Sequence, residues 1–129
     1  MTVDLWCLAA NALWGFFLVL IEISGKTYAA GPEWNAGNRD KSPDFPAWVE
    51  RATRALNNHK ENFPFFLTAV VVVHLAGKAD RISATWAMVY VAARLAHGLL
   101  YIGGVKRLRS GAWVTGTVSV VIIFSRLLR

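Results

Sequence analysis

Apolar residues gather into four stretches, Leu5–Ser24, Phe63–Gly77, Ile82–Gly103 and Gly111–Leu128, separated by polar connections. Each approaches the roughly 20 residues that a helix needs to cross ~30 Å of hydrocarbon. Phe63–Gly77 is short on its own. A helix that begins at Pro46, however, would run about 48 Å at ~1.5 Å per residue and project from the membrane on one side. The pattern predicts an all-α, integral membrane four-helix bundle, one domain over residues 1–129, with spans at approximately 5–24, 46–77, 82–103 and 111–128.

The connections carry their own signals. Gly25, Gly31, Pro32, Gly37, Pro43 and Pro46 crowd the segment Gly25–Pro46, which predicts a long irregular loop. Asp44 is placed to cap the helix that Pro46 starts. Gly77–Arg81 is so short that it joins only adjacent antiparallel helices. Gly104–Ser110 reads as a second loop on the side of Gly25–Asn62. Gly111, Ala112, Gly116 and Ser119 in the last span permit close helix contact. The first segment lacks a basic leader and a small-residue cleavage pattern, so it is expected to be retained.

Composition supports a membrane setting: 55% of the 129 residues are hydrophobic, more than a small soluble core needs. Basic residues distribute unevenly between the two sides. Lys26, Arg39, Lys41, Arg51, Arg54, Lys60, Lys106, Arg107 and Arg109 fall on one, against Lys78, Arg81, Arg126 and Arg129 on the other. The richer side is expected in the cytoplasm, with both termini outside. Trp6 and Trp86 fall near one interface, and Trp34, Trp48 and Trp113 near the other, as amphipathic rings prefer. Because the charges sit at span ends and in loops, the net charge of +6 points to lipid head groups and topology rather than to nucleic acid. Cys7 is the only cysteine, which excludes an intrachain disulfide framework and a cysteine metal cluster. The three histidines form no metal-ligand motif.

Against this apolar background, two polar stripes stand out. Arg51, Arg54, Asn58 and Glu61 follow at intervals of three, four and three, and Arg94, His97 and Tyr101 at three and four, so each set shares a helix face. An unpaired arginine deep in a span costs roughly 2.5–3.5 kcal/mol, and Glu61 is the most economical partner for Arg94, with Asn58 and His97 supplying further donors or acceptors. This is a structural ion pair in one reading and part of a ligand site in the other. Arg51, Arg54, Arg109 and Lys26 are expected to converge near one interface where acids are few. Either they snorkel to head groups, or they hold a small polycarboxylate by two-point pairing. His59 is expected to be solvated, His74 sits in an apolar run, and Tyr90, one residue off the stripe, packs.

The run Val-Glu-Arg-Ala-Thr-Arg-Ala-Leu-Asn-Asn-His-Lys-Glu-Asn-Phe-Pro from Val49, the run Ala-Arg-Leu-Ala-His-Gly-Leu-Leu-Tyr-Ile-Gly-Gly from Ala93, and Leu108-Arg109-Ser110 together resemble the membrane-associated proteins in eicosanoid and glutathione metabolism, the MAPEG superfamily, in a bacterial-type form. The resemblance spans essentially the whole chain. It implies a homotrimer that binds glutathione, as co-substrate, in a cleft between protomers near the cytoplasmic face of a bacterial inner membrane. Carried over by position, Lys26, Arg51, Arg54, Asn58, Glu61, Arg94, His97 and Tyr101 would contact glutathione, and Arg109 and Ser110 would flank its sulfur. The implied activity is a glutathione-dependent transferase, with peroxidase activity as a variant, that turns the thiolate on lipophilic electrophiles. The alternative is a non-enzymatic lipid- or partner-binding membrane protein of the same fold.

Overall fold

The computed structural model describes Met1–Arg129 as four long helices and two short helical pieces: α1 (Val3–Ala30), α2 (Pro32–Ala36), α3 (Ala47–Leu75), α4 (Arg81–Gly103), α5 (Lys106–Ser125) and a final 3₁₀ turn, Arg126–Leu128. The long helices alternate in direction. At one end the Ser83 hydroxyl donates to the Asp4 carboxylate at 2.8 Å and Arg126 pairs with Asp80, which joins the starts of α1 and α4 to the end of α5. At the opposite end Arg51 Nε donates to the Ile102 carbonyl at 2.8 Å and ties the start of α3 to the end of α4. Val3–Ala30 and Lys106–Leu128 are long and apolar enough to cross a membrane. The outer surface carries large apolar side chains, among them Trp6, Phe16, Phe65, Leu99 and Val121, more than a surface facing water tolerates.

Two of the expected loops are partly helix. α1 runs through Gly25 because that glycine lets a facing helix approach: a Cβ there would lie 2.7 Å from the Trp48 ring. α1 stops at Gly31, whose φ of 89° favours glycine, and Pro32 then opens α2. The second loop shrinks to Gly104 and Val105, because Gly104 closes α4 in the left-handed conformation and α5 restarts at Lys106. Asp44 does not cap α3: the capping position is Pro46, and no side chain bonds to the helix start.

The larger core cluster packs Cys7, Phe66, Ala69, Val70, Val73, Ala87, Tyr90 and Ile123, with the Phe66 and Tyr90 rings stacked at 3.9 Å. Gly116 and Ser119 are buried where α5 meets α4, as the small-residue pattern predicts. His59 departs from expectation. It is buried at 4% exposure, stacks on Phe63 and lies against Gly15 of α1, where an added Cβ would be 2.7 Å from its ring nitrogen.

Asp80 organises the end of the bundle that holds both termini. Its carboxylate accepts from the Ile82 and Ser83 backbone N–H groups, the Ser83 hydroxyl accepts from the Asp80 backbone, and Arg126 pairs with the remaining oxygen. The Ser83 N–H above all, with Arg126 and Ile82, holds the carboxyl below its ordinary value of 3.8. A depressed native value means that this contribution is fully present above pH 3.8 and is lost as the pH falls past it. Asp80→Ala is expected to lower the thermal midpoint near neutral pH and to flatten its decline in acid. Asp80→Asn, which still caps, should lose less; circular dichroism melts over pH 2–7 check this.

Candidate functional site

The start of α5 sets the electrostatics of the site. No side chain caps it and no acid lies in its first turn, so its free backbone N–H groups leave partial positive charge beside Lys106, Arg107 and Arg109. Positive helix ends and cations repel unless an anion sits between them.

The cleft beside this helix end has a volume of about 280 Å³ and is lined by Asn58 of α3, His97 and Tyr101 of α4, and Arg109, Ser110, Trp113 and Val114 of α5. The Arg109 guanidinium lies 4.2 Å from the centre of the Tyr101 ring, within the range of a cation–π contact. Tyr101 in turn meets the His97 ring edge to face at 5.5 Å. Ser110 donates to the Lys106 carbonyl at 3.2 Å and lines the same cleft. The arrangement can hold a small anion and keep a cation and a hydroxyl against one of its atoms.

The remaining sequence-derived residues divide. Arg94 is buried at 2% exposure behind the cleft, and its Nη2 donates to Asn58 Oδ1 at 2.9 Å. Its partner is thus Asn58 and not Glu61, which points to solvent on the exposed side of α3 and forms no ion pair. The Asn62 amide donates to the Asn58 backbone carbonyl at 2.8 Å and to its side-chain oxygen at 3.4 Å. Arg51 is spent on the Ile102 carbonyl.

Lys26 and Arg54 do not converge on Arg109. Together with Ser42, Phe45, Glu50 and Thr53 they line a second hollow of about 270 Å³. Lys26 pairs with Glu22 at 2.5 Å and Arg54 with Glu50 at 3.7 Å. Within one chain the expected cationic cluster is therefore two separate surfaces near the same end of the bundle.

Trp113 and Val114 were not singled out as site residues from the sequence, yet they line the cleft. Arg109, Ser110, Trp113 and Val114 follow one another at one, three and one positions, a single helical face that becomes visible once α5 is started at Lys106.

A known family model, described as the MAPEG family, matches residues 4–129. The chain belongs to the MAPEG family. With its two long apolar helices, this MAPEG chain is a membrane protein. Among curated proteins none matches it.

Proposed function

We propose that this MAPEG-family protein is a membrane-bound, glutathione-dependent transferase that holds the glutathione thiolate against Arg109 and Ser110 and directs it at lipophilic electrophiles. The observation that carries the reading is the convergence of Arg109, Ser110, His97, Tyr101 and Asn58 on one cleft at an uncapped, acid-free helix start. A free thiol has a pKa near 8.5, so at neutral pH only a few per cent is nucleophilic; a cation that lowers the value by about two units stabilises the anion by about 2.7 kcal/mol. Arg109 supplies that charge and Ser110, once its hydroxyl turns from the Lys106 carbonyl, a hydrogen bond; the thiolate sulfur then forms a bond to an electrophilic carbon in the membrane, which expels its leaving group, a halide from an aryl halide, with the bonding pair. Attack on the terminal oxygen of a lipid hydroperoxide instead breaks the O–O bond, releases the lipid alcohol and leaves glutathione sulfenic acid, which a second glutathione converts to the disulfide and water; that is the peroxidase variant.

The division of cations into two surfaces supports assembly as a homotrimer. The Lys26 and Arg54 hollow of one protomer would complete the Arg109 cleft of the next, so that glutathione's carboxylates find partners on both. Glu61, exposed beside Asn58 on α3, is free to take the tripeptide's ammonium group. Orientation follows the basic-residue excess, with the cleft at the cytoplasmic face of a bacterial inner membrane and the termini outside.

Calorimetric titration in detergent is expected to show glutathione binding in the micromolar-to-millimolar range, and the protein is expected to conjugate an aryl halide. Absence of both, with a folded protein, would leave the non-enzymatic lipid- or partner-binding reading.

A further inference from the structure

The end of the bundle that holds both termini has a polar site of its own, built around an acid. Asp4 is 3% exposed; its Oδ2 accepts from the Ser83 hydroxyl at 2.8 Å, while Oδ1 has no partner. A buried carboxylate oxygen without a donor is costly, so a donor is expected to reach it. Asp80 beside it is already committed to the Ile82 and Ser83 N–H groups and to Arg126. Asp4 and Asp80 line a hollow of about 230 Å³ together with Thr2 and Arg81. Arg81 is exposed and takes part in none of the three ion pairs, and no side chain caps α1 at Thr2. The hollow thus combines a buried acid with a free cation and the unbonded N–H groups of a helix start. Asp4 Oδ1 is shut from solvent, and the residues at the rim, Thr2, Val3 and Arg81, are exposed side chains with room to part.

A groove of about 500 Å³ continues from this hollow, and Val3 borders both. α1 and α4 begin at the same end and run side by side; between them Trp6 and Ala10 of α1 and Met88, Ala92 and Leu95 of α4 line the groove, which has no polar residue. Leu95 stands 14 residues after Arg81 in α4, roughly 21 Å at ~1.5 Å per residue. The groove therefore descends from the interface through about one leaflet of a ~30 Å hydrocarbon core. An acid and a cation at the interface above an apolar channel one leaflet deep complement a zwitterionic phospholipid. We propose that this face binds phosphatidylethanolamine, its primary ammonium donating to Asp4 Oδ1, its phosphate against Arg81 and the start of α1, and one acyl chain in the groove. An ammonium of the lysine type has three N–H donors. A choline head group has none, a glycerol head group has no positive charge, and a fatty acid would set a carboxylate against an acid. The site is independent of the transferase reading, since neither glutathione nor the Arg109 cleft at the opposite end takes part.

The test uses the full-length protein in dodecyl maltoside, without glutathione, and measures by native mass spectrometry the saturable binding of phosphatidylethanolamine, phosphatidylcholine and phosphatidylglycerol with identical oleoyl chains. Phosphatidylethanolamine is expected to bind about tenfold more tightly than either of the others, which cannot make the charge-assisted hydrogen bond to the buried carboxylate. The preference should fall to within about twofold in Asp4→Asn, which still accepts from Ser83 but carries no charge. Equal or tighter binding of either other lipid, or a preference undiminished in Asp4→Asn, overturns the proposal. Should Asp4→Asn fail to fold, Ala92→Trp, at an exposed position, fills the groove. A several-fold loss of phosphatidylethanolamine binding in that variant supports the proposal, and undiminished binding overturns it.

Discussion

Arg109→Ala is expected to lower turnover with glutathione far more than it lowers glutathione affinity. If the guanidinium depresses the bound thiol from about 8.5 to about 6.5, the thiolate fraction at pH 7 is roughly three quarters; without it the fraction drops to about 3%, a loss of about 25-fold. The tripeptide's carboxylates and ammonium group retain their other contacts, so affinity should change only a few-fold. The pH–rate profile separates this from a positioning role: its midpoint should rise by about two pH units in Arg109→Ala and return part of the way in Arg109→Lys. Ultraviolet absorbance of the bound thiolate follows the same titration directly. Equal losses of turnover and binding, with the midpoint unmoved, would mean that Arg109 only positions the ligand. Ser110→Ala then decides the hydroxyl's share, since loss of a neutral donor shifts the midpoint less than loss of a full charge.

The family and the polar stripes were legible in the sequence because burying a polar group in an apolar segment is costly, and Arg94, His97 and Tyr101 recur at helical spacing inside one. The pairing of those groups was not. Glu61 is the nearest formal countercharge to Arg94 along the stripes, but it occupies the exposed side of α3 while Asn58, one turn earlier, faces α4. Charge arithmetic favoured the acid; helix rotation favours the amide. The same limit applied to His59, whose burial depends on a glycine of α1 that is 44 positions away in sequence. Glycines misled the reading of loops for a related reason. A glycine that ends a helix and a glycine that admits a neighbour look alike in sequence, and here Gly31 and Gly104 do the first while Gly15, Gly25 and Gly98 do the second.

Gly98 gives that distinction a measurable consequence. It sits in α4 immediately after His97, and a Cβ built there would lie 2.7 Å from Trp14 Cζ2 and 3.2 Å from two further atoms of the same ring. The indole is the rigid body of a large side chain packed among Leu18, Ala55 and Leu56, so it has no flexible tip to swing aside. Gly98→Val is therefore expected to push α1 from α4 and to destabilise the bundle by about 1–3 kcal/mol, despite the better helix propensity of valine relative to glycine. The displaced turn carries His97, with Tyr101 one turn further along the same face, so glutathione affinity should fall in parallel with the thermal midpoint. Trp14→Leu alone leaves a void and should also destabilise. Combined, the two substitutions should recover stability relative to Gly98→Val, because leucine vacates the space that the new side chain needs. A double-mutant cycle measured by thermal unfolding tests this. Strict additivity would show that Trp14 and Gly98 do not set the distance between α1 and α4, and that the cleft owes its shape to some other contact.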